Sequence, residues 1–220
     1  MLCVGYAGWE AFDLVLYLGR TLAKLQYRVL IVDISDTGAL CKSIKHGMGL
    51  DSRKDIINYR NINYTRKIPS EEEFDMFRDG VILVVYGCNY RIGFPISCRI
   101  MNVVVNTFPH IIDEVNILLR DVSQKENHIR LLIRDVISVD DVELVKRSLD
   151  LPAKLNDVSY IYLDYADYES AVGCELTKVV RFAKISSRMK GYIADQIHGL
   201  FPSMNQPRIK KAIRMAGRGS

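Results

Sequence analysis

The chain has 220 residues, 49% of them hydrophobic and 25% charged, with a formal net charge of +4. That length is sufficient for one domain with a sizeable core, and the balance excludes disordered and fibrous classes. A net charge this mild does not by itself imply a nucleic-acid partner; only a clustered basic patch could.

Taken in order, Leu2 to Val4 predicts a short strand ending at Gly5. Residues 11–26 carry apolar positions (Phe12, Val15, Leu16, Leu22, Leu25) dense enough for a helix packed on a sheet. The run Arg28-Val29-Leu30-Ile31-Val32-Asp33 predicts a strand buried on both faces. A β-α-β opening favours a parallel sheet with a right-handed crossover. Residues 51–70 are polar and turn-rich, and predict an irregular excursion with one short helix. Further strands are expected at 80–86, 101–106, 128–134 and 160–163. Helices are expected around 111–122, 139–149 (capped by Ser138 or Asp140), 169–182 and 186–200. No repeat or linker divides the chain. The expected fold is a single doubly wound, mainly parallel α/β sheet flanked by helices over residues 1–206, followed by a basic C-terminal tail, 207–220.

The segment from Gly5 to Leu40 carries a resemblance. Leu18-Gly19-Arg20-Thr21-Leu22-Ala23-Lys24-Leu25 followed by Arg28-Val29-Leu30-Ile31-Val32-Asp33 resembles the helix-then-strand stretch of the MinD/ParA group of P-loop ATPases. Asp36-Thr37-Gly38-Ala39-Leu40 sits where that group has D-x-Q-G-N-L. A second, weaker match places Leu163-Asp164-Tyr165-Ala166-Asp167 at the group's last strand and the loop near the adenine. The resemblance implies a P-loop NTPase-like fold and a phosphate loop, K-G-G-x-G-K-[ST], falling on residues 6–12.

On that alignment the signature lysine position holds Tyr6, the phosphate-gripping lysine position holds Ala11, and the Mg²⁺-binding hydroxyl position holds Phe12. Of the motif's glycines one is retained as Gly8, while Glu10 replaces the last one; Gly5 directly precedes the motif. A phosphate loop needs glycines that let N–H groups close around oxygens, with a lysine to neutralise charge. Here Glu10 and Asp13 would place carboxylates at the positive end of the helix dipole, and Trp9 and Phe12 would fill the triphosphate's space. The group's D-x-D reads Asp33-Ile34-Ser35, so one carboxylate survives, beside Ser35. Val85 or Tyr86 stands where the third-strand aspartate belongs. No complete P-loop motif occurs elsewhere in the chain.

These residues imply a pseudo-ATPase with no catalytic residue, cofactor or metal, in which Gly5, Gly8 and Asp33 are structural. By analogy with TadZ/CpaE-type pilus-assembly proteins, the expected role is a protein-binding localisation or assembly factor for a membrane-associated machine: a pilus, secretion or conjugation system. Its partners would be proteins of that assembly, and any homodimer would be nucleotide-independent, using apolar surface near Trp9. Two alternatives remain: an ATP-dependent partitioning or regulatory ATPase with an unusual pocket, and a DNA-binding accessory protein.

Other signals are weaker. The five cysteines, Cys3, Cys41, Cys88, Cys98 and Cys174, lack C-x-x-C spacing and read as reduced thiols. His46, His110, His128 and His198 share no ligand spacing. With no membrane-length apolar window and no signal-peptide pattern, a cytoplasmic location is expected, with peripheral contact at the inner face of the cell membrane as a further option. Tyr160, Tyr162, Tyr165 and Tyr168 fit either a half-exposed strand with its exit loop or an aromatic contact surface. Arg208, Lys210, Lys211, Arg214 and Arg218 accompany Ile209, Ile213 and Ala216 at helical spacing. A solvated tail, an amphipathic helix on an anionic membrane and a nucleic-acid contact all remain open for this segment, nucleic acid being the less favoured.

Overall fold

A computed structural model of the chain describes residues 1–9, 11–45, 56–90 and 94–218; Glu10, His46 and part of the 51–70 stretch lie outside them. The buried apolar run at the start forms β1 (Leu2–Gly8), longer than the strand expected to stop at Gly5. It is followed by α1 (Phe12–Lys24), β2 (Val29–Asp33), the short α2 (Ala39–Lys42), β3 (Ile57–Tyr59), β4 (Ile62–Thr65), α3 (Glu71–Asp75) and β5 (Val81–Gly87). Then come β6 (Ile100–Val105), α4 (Pro109–Lys125), β7 (Ile129–Val136), α5 (Val139–Ser148), β8 (Leu155–Tyr162), α6 (Tyr165–Thr177), α7 (Ser187–Leu200) and α8 (Gln206–Arg218). A single 3-10 turn, Phe182–Lys184, links α6 to α7.

The eight strands form one sheet in the order β3-β4-β2-β5-β1-β6-β7-β8. All neighbours are parallel except the β3–β4 pair. β1 is therefore central, and side chains alternate across it. Val4 and Tyr6 join the core under α1, α7 and α8, while Cys3 and Ala7 join the core under α4 and α5. Continuous burial of β1, β2, β5 and β6 explains why these strands read as unbroken apolar runs. Gly5 lies under the end of the Met101 side chain: a Cβ there would lie 2.5 Å from Met101 Cε, and the methionine would have to shift to admit it.

Three expectations are corrected. The 51–70 stretch holds a β-hairpin as well as loop, because Arg60 and Asn61 both adopt positive φ (54° and 63°) and close a two-residue turn. β4 then extends the sheet beside β2. The helix expected at 169–182 starts and ends earlier, at Tyr165 and Thr177: Asp164 Oδ1 caps it by accepting from Ala166 N at 2.8 Å, and Lys178 ends it with φ 56°. The stretch read as a tail is α8, whose Ile209, Ala212, Ile213 and Ala216 are buried against α1 and α7. The boundary at residue 206 is thus not a break in packing. Among the described residues no helix is long and apolar enough to cross a membrane.

α1 is buried from Asp13 through Leu22, as a helix between a sheet and two further helices must be. Two polar side chains inside it bond at long range. Arg20 Nη2 donates to Ala216 O at 3.1 Å, tying α1 to α8, and Asp13 meets β7 as described next.

Candidate functional site

The C-terminal ends of the parallel strands form one edge of the sheet, where α/β folds of this kind place their sites. Along it the strand-to-helix connection after β1 is short. Gly8 still pairs with Val104 of β6, and Trp9 N donates to Val104 O at 2.8 Å. Gly8 has φ +99°, and a Cβ there would lie 2.2 Å from Val104 O. Glycine is required at this position by close backbone contact. The Trp9 N–H, which a phosphate cradle would direct at its ligand, is committed to the sheet.

The sequence-selected residues divide into separate environments. Tyr6 points into the core beneath α7 and is 2% exposed, and burial raises its phenol well above the ordinary range. Ala11 occupies the N-cap of α1 and makes no side-chain cap hydrogen bond. Phe12, half-buried, faces a cavity. Asp33 is fully buried, with Oδ1 accepting from Ser35 Oγ at 2.6 Å and from Ser35 N at 3.2 Å. Its Oδ2 accepts from Cys41 N at 3.0 Å and lies 4.0 Å from Arg66 Nη1. Asp33 and Ser35 thus tie the end of β2 to α2, and neither lines the cavity that Phe12 faces. Val85 and Tyr86 are both buried at the end of β5. Arg208, Lys210, Lys211, Arg214 and Arg218 all lie exposed on α8, whose apolar side is turned inward.

The cavity beside the start of α1 measures about 310 Å³. Trp9 and Phe12 form one wall, Ile161 to Asp164 another, and α6 a third. Among the described residues five carboxylates line it, Asp13, Asp135, Asp164, Asp167 and Glu175, against one cationic side chain, Arg134. Arg134 grips Asp13 bidentately, Nη1–Oδ1 2.7 Å and Nη2–Oδ2 2.9 Å, with the Asp13 carboxylate 2% exposed. Burial alone would lower the guanidinium's pKa, but Asp13 more than offsets it, so Arg134 stays charged.

Asp135, the next residue, holds φ 58°, and burial raises its carboxyl against the opposing pull of Arg134. Burial likewise raises Asp167, whose two oxygens accept from Ser186 N and Ser186 Oγ, each at 2.6 Å. Arg134 and Asp135 escaped sequence selection. Their signal was an Arg-Asp pair closing the apolar run His128-Ile129-Arg130-Leu131-Leu132-Ile133.

No family model and no curated protein matches this chain. Solved structures do. MinD cell division protein of Aquifex aeolicus is 14% identical, with a TM-score of 0.64, over 93% of this chain and 98% of that one. The MinC:MinD cell division protein complex of the same organism gives 13% identity and a TM-score of 0.58, over 99% and 96%. A ParA family ATPase from Chlorobium tepidum gives 12% identity and a TM-score of 0.53, over 87% and 98%. The chain therefore has the fold of the MinD/ParA group of P-loop proteins.

Proposed function

We propose that this chain is a non-catalytic member of the MinD/ParA-like fold, a pseudo-ATPase that binds another protein and helps place or assemble a membrane-associated machine such as a pilus, secretion or conjugation system. The observation that carries this reading is the charge of the cavity beside α1. Among the described residues five carboxylates line it, and the one guanidinium lining it is committed to Asp13. A triphosphate would meet like charge there, with no lysine among the described lining residues to neutralise it and with Trp9 N already bonded to Val104 O. Phosphoryl transfer by the usual route would lack grip, metal ligand and water-positioning group together. Gly5, Gly8 and Asp33 then serve backbone packing and strand-end capping. Protein binding is supported by analogy with the similar MinC:MinD complex and by exposed aromatic and aliphatic side chains near the cavity.

Titration of the purified protein with a fluorescent ATP analogue and Mg²⁺ tests the reading. No saturable binding in the micromolar range is expected. Micromolar affinity would overturn it in favour of a partitioning or regulatory ATPase with an altered pocket.

A further inference from the structure

The cavity beside α1 does not end at α6. Across Tyr168 and Val172, which line both, lies a second depression of about 320 Å³, walled by Tyr165, Leu176 and Arg181. The two form one groove on either side of Tyr168. Its rim is unusually apolar for free surface: Leu163 is 55% exposed, Tyr165 80%, Tyr168 63% and Leu176 78%. Contiguous exposed side chains of this kind mark contact surfaces, and tyrosine is favoured where one end must stay wet.

The floor chemistry selects the occupant. With Asp13 paired to Arg134 and Asp167 held through both oxygens by Ser186, the remaining acidic groups facing the first cavity are Asp135, Asp164 and Glu175. This is a local acidic patch on a chain whose net charge is +4. Among the described residues no three carboxylate, thiol or imidazole groups converge to hold a metal ion. The carboxylates are spread along a wall, which suits an extended cationic side chain better than a point charge. The aromatic wall suits it too. Arg188 already lays its guanidinium 4.2 Å from the centre of the Tyr162 ring, beside the same cavity.

We infer that this groove is the docking site for a basic, apolar-flanked segment of another protein, an Arg or Lys side chain entering between Trp9 and the carboxylates while an apolar neighbour packs in the depression beyond Tyr168. The inference rests on the partner-binding reading above. It adds where the partner sits and what its sequence must supply: one or more basic residues a few positions from a Leu-, Ile- or Phe-like one. Charge complementarity sets orientation and encounter rate, and burial of Tyr168 and Leu176 supplies contact area.

Trp9 is the only tryptophan in the chain and lines the groove, so its emission reports occupancy. The probes are a synthetic amphipathic Leu/Arg peptide, its Leu/Glu counterpart and, separately, Mg²⁺ with an ATP analogue. The expected result is a saturable Trp9 shift with the Leu/Arg peptide alone. Asp135→Asn with Asp164→Asn should weaken it about tenfold, and Tyr168→Ala by a similar factor. Asparagine tolerates both the left-handed backbone at residue 135 and the N-cap at residue 164, so the double variant should fold like the parent. No Trp9 response to either peptide, or equal affinity in wild type and double variant, overturns the docking site while leaving the pseudo-ATPase reading intact. A response to the nucleotide overturns that reading instead. Sedimentation of the chain alone gives the remaining outcome: a dimer dissociated by the double variant would assign the groove to a second copy and overturn the inference.

Discussion

Asp13 and Arg134 lie 121 residues apart in the chain and within 2.7 Å in space, at the first turn of α1 and the end of β7. Removing one partner leaves the other charge buried and uncompensated. Asp13→Ala or Arg134→Ala should therefore lower unfolding free energy by about 3–5 kcal/mol in urea titrations, and the paired change Asp13→Leu with Arg134→Met should recover much of that loss. In the sequence Asp13 could be recognised only as a carboxylate at a helix start, because nothing local announces a partner on β7, two strands away from β1 in the sheet.

The adjacent Asp135 behaves oppositely. Its folded-state pKa is raised above 3.8 by burial, with Asp13 adding to the rise, so the folded state takes up its proton more readily than the unfolded chain. Its contribution to stability therefore falls as pH climbs from 3.8 through the raised value. Asp135→Asn should raise Tm near neutral pH, with the gap over wild type closing as pH drops toward 3.8.

At the scale of elements, α8 shows how composition can mislead. Five basic residues and a Pro-flanked entry read as a surface tail, since only three apolar side chains accompany them. Yet Ile209 and Ala216 are 0% exposed, Ala212 3% and Ile213 6%. A narrow apolar stripe suffices when the receiving helix is itself buried on most sides. Ile213→Ala should cost about 2–4 kcal/mol in denaturant titrations, as a large-to-small change in a core does, whereas Lys210→Glu with Lys211→Glu on the outer face should change stability by no more than roughly 0.5 kcal/mol. This packing also bears on the membrane reading, because the side chains an amphipathic helix would insert into lipid are engaged with α1. The β3–β4 hairpin was hidden for a different reason. Its turn uses Arg60-Asn61 where an Asn-Gly pair would have announced it, and its alternating INYRNINYT pattern sits inside a polar stretch. By contrast the Ser138 cap, with Asp141 closing the capping box, was legible from local chemistry alone.

For the molecule as a whole, the parallel sheet was readable because central strands buried on both faces must be apolar throughout, and the helices because their faces repeat at 3.6 residues. The resemblance over residues 5–40 supplied the fold family, and the solved MinD and ParA structures share that architecture. The cavity was only partly legible. Trp9, Phe12 and Asp164 belonged to recognised segments, but convergence of acids from the first helix turn, the end of β7 and α6 is a property of topology.

The same topology governs how the chain can fold. α1, near the start, has its outer side covered by α8, and the Arg20–Ala216 bond closes across 196 residues. β1 likewise waits for β5 and β6 before either of its edges is paired. At elongation rates of ~5–20 residues per second, a nascent α1 would remain half-covered for roughly ten to forty seconds while the rest is made. Such a high contact order predicts slow, late-completing folding. It makes the period before the last helix emerges the interval in which this protein most needs protection from aggregation.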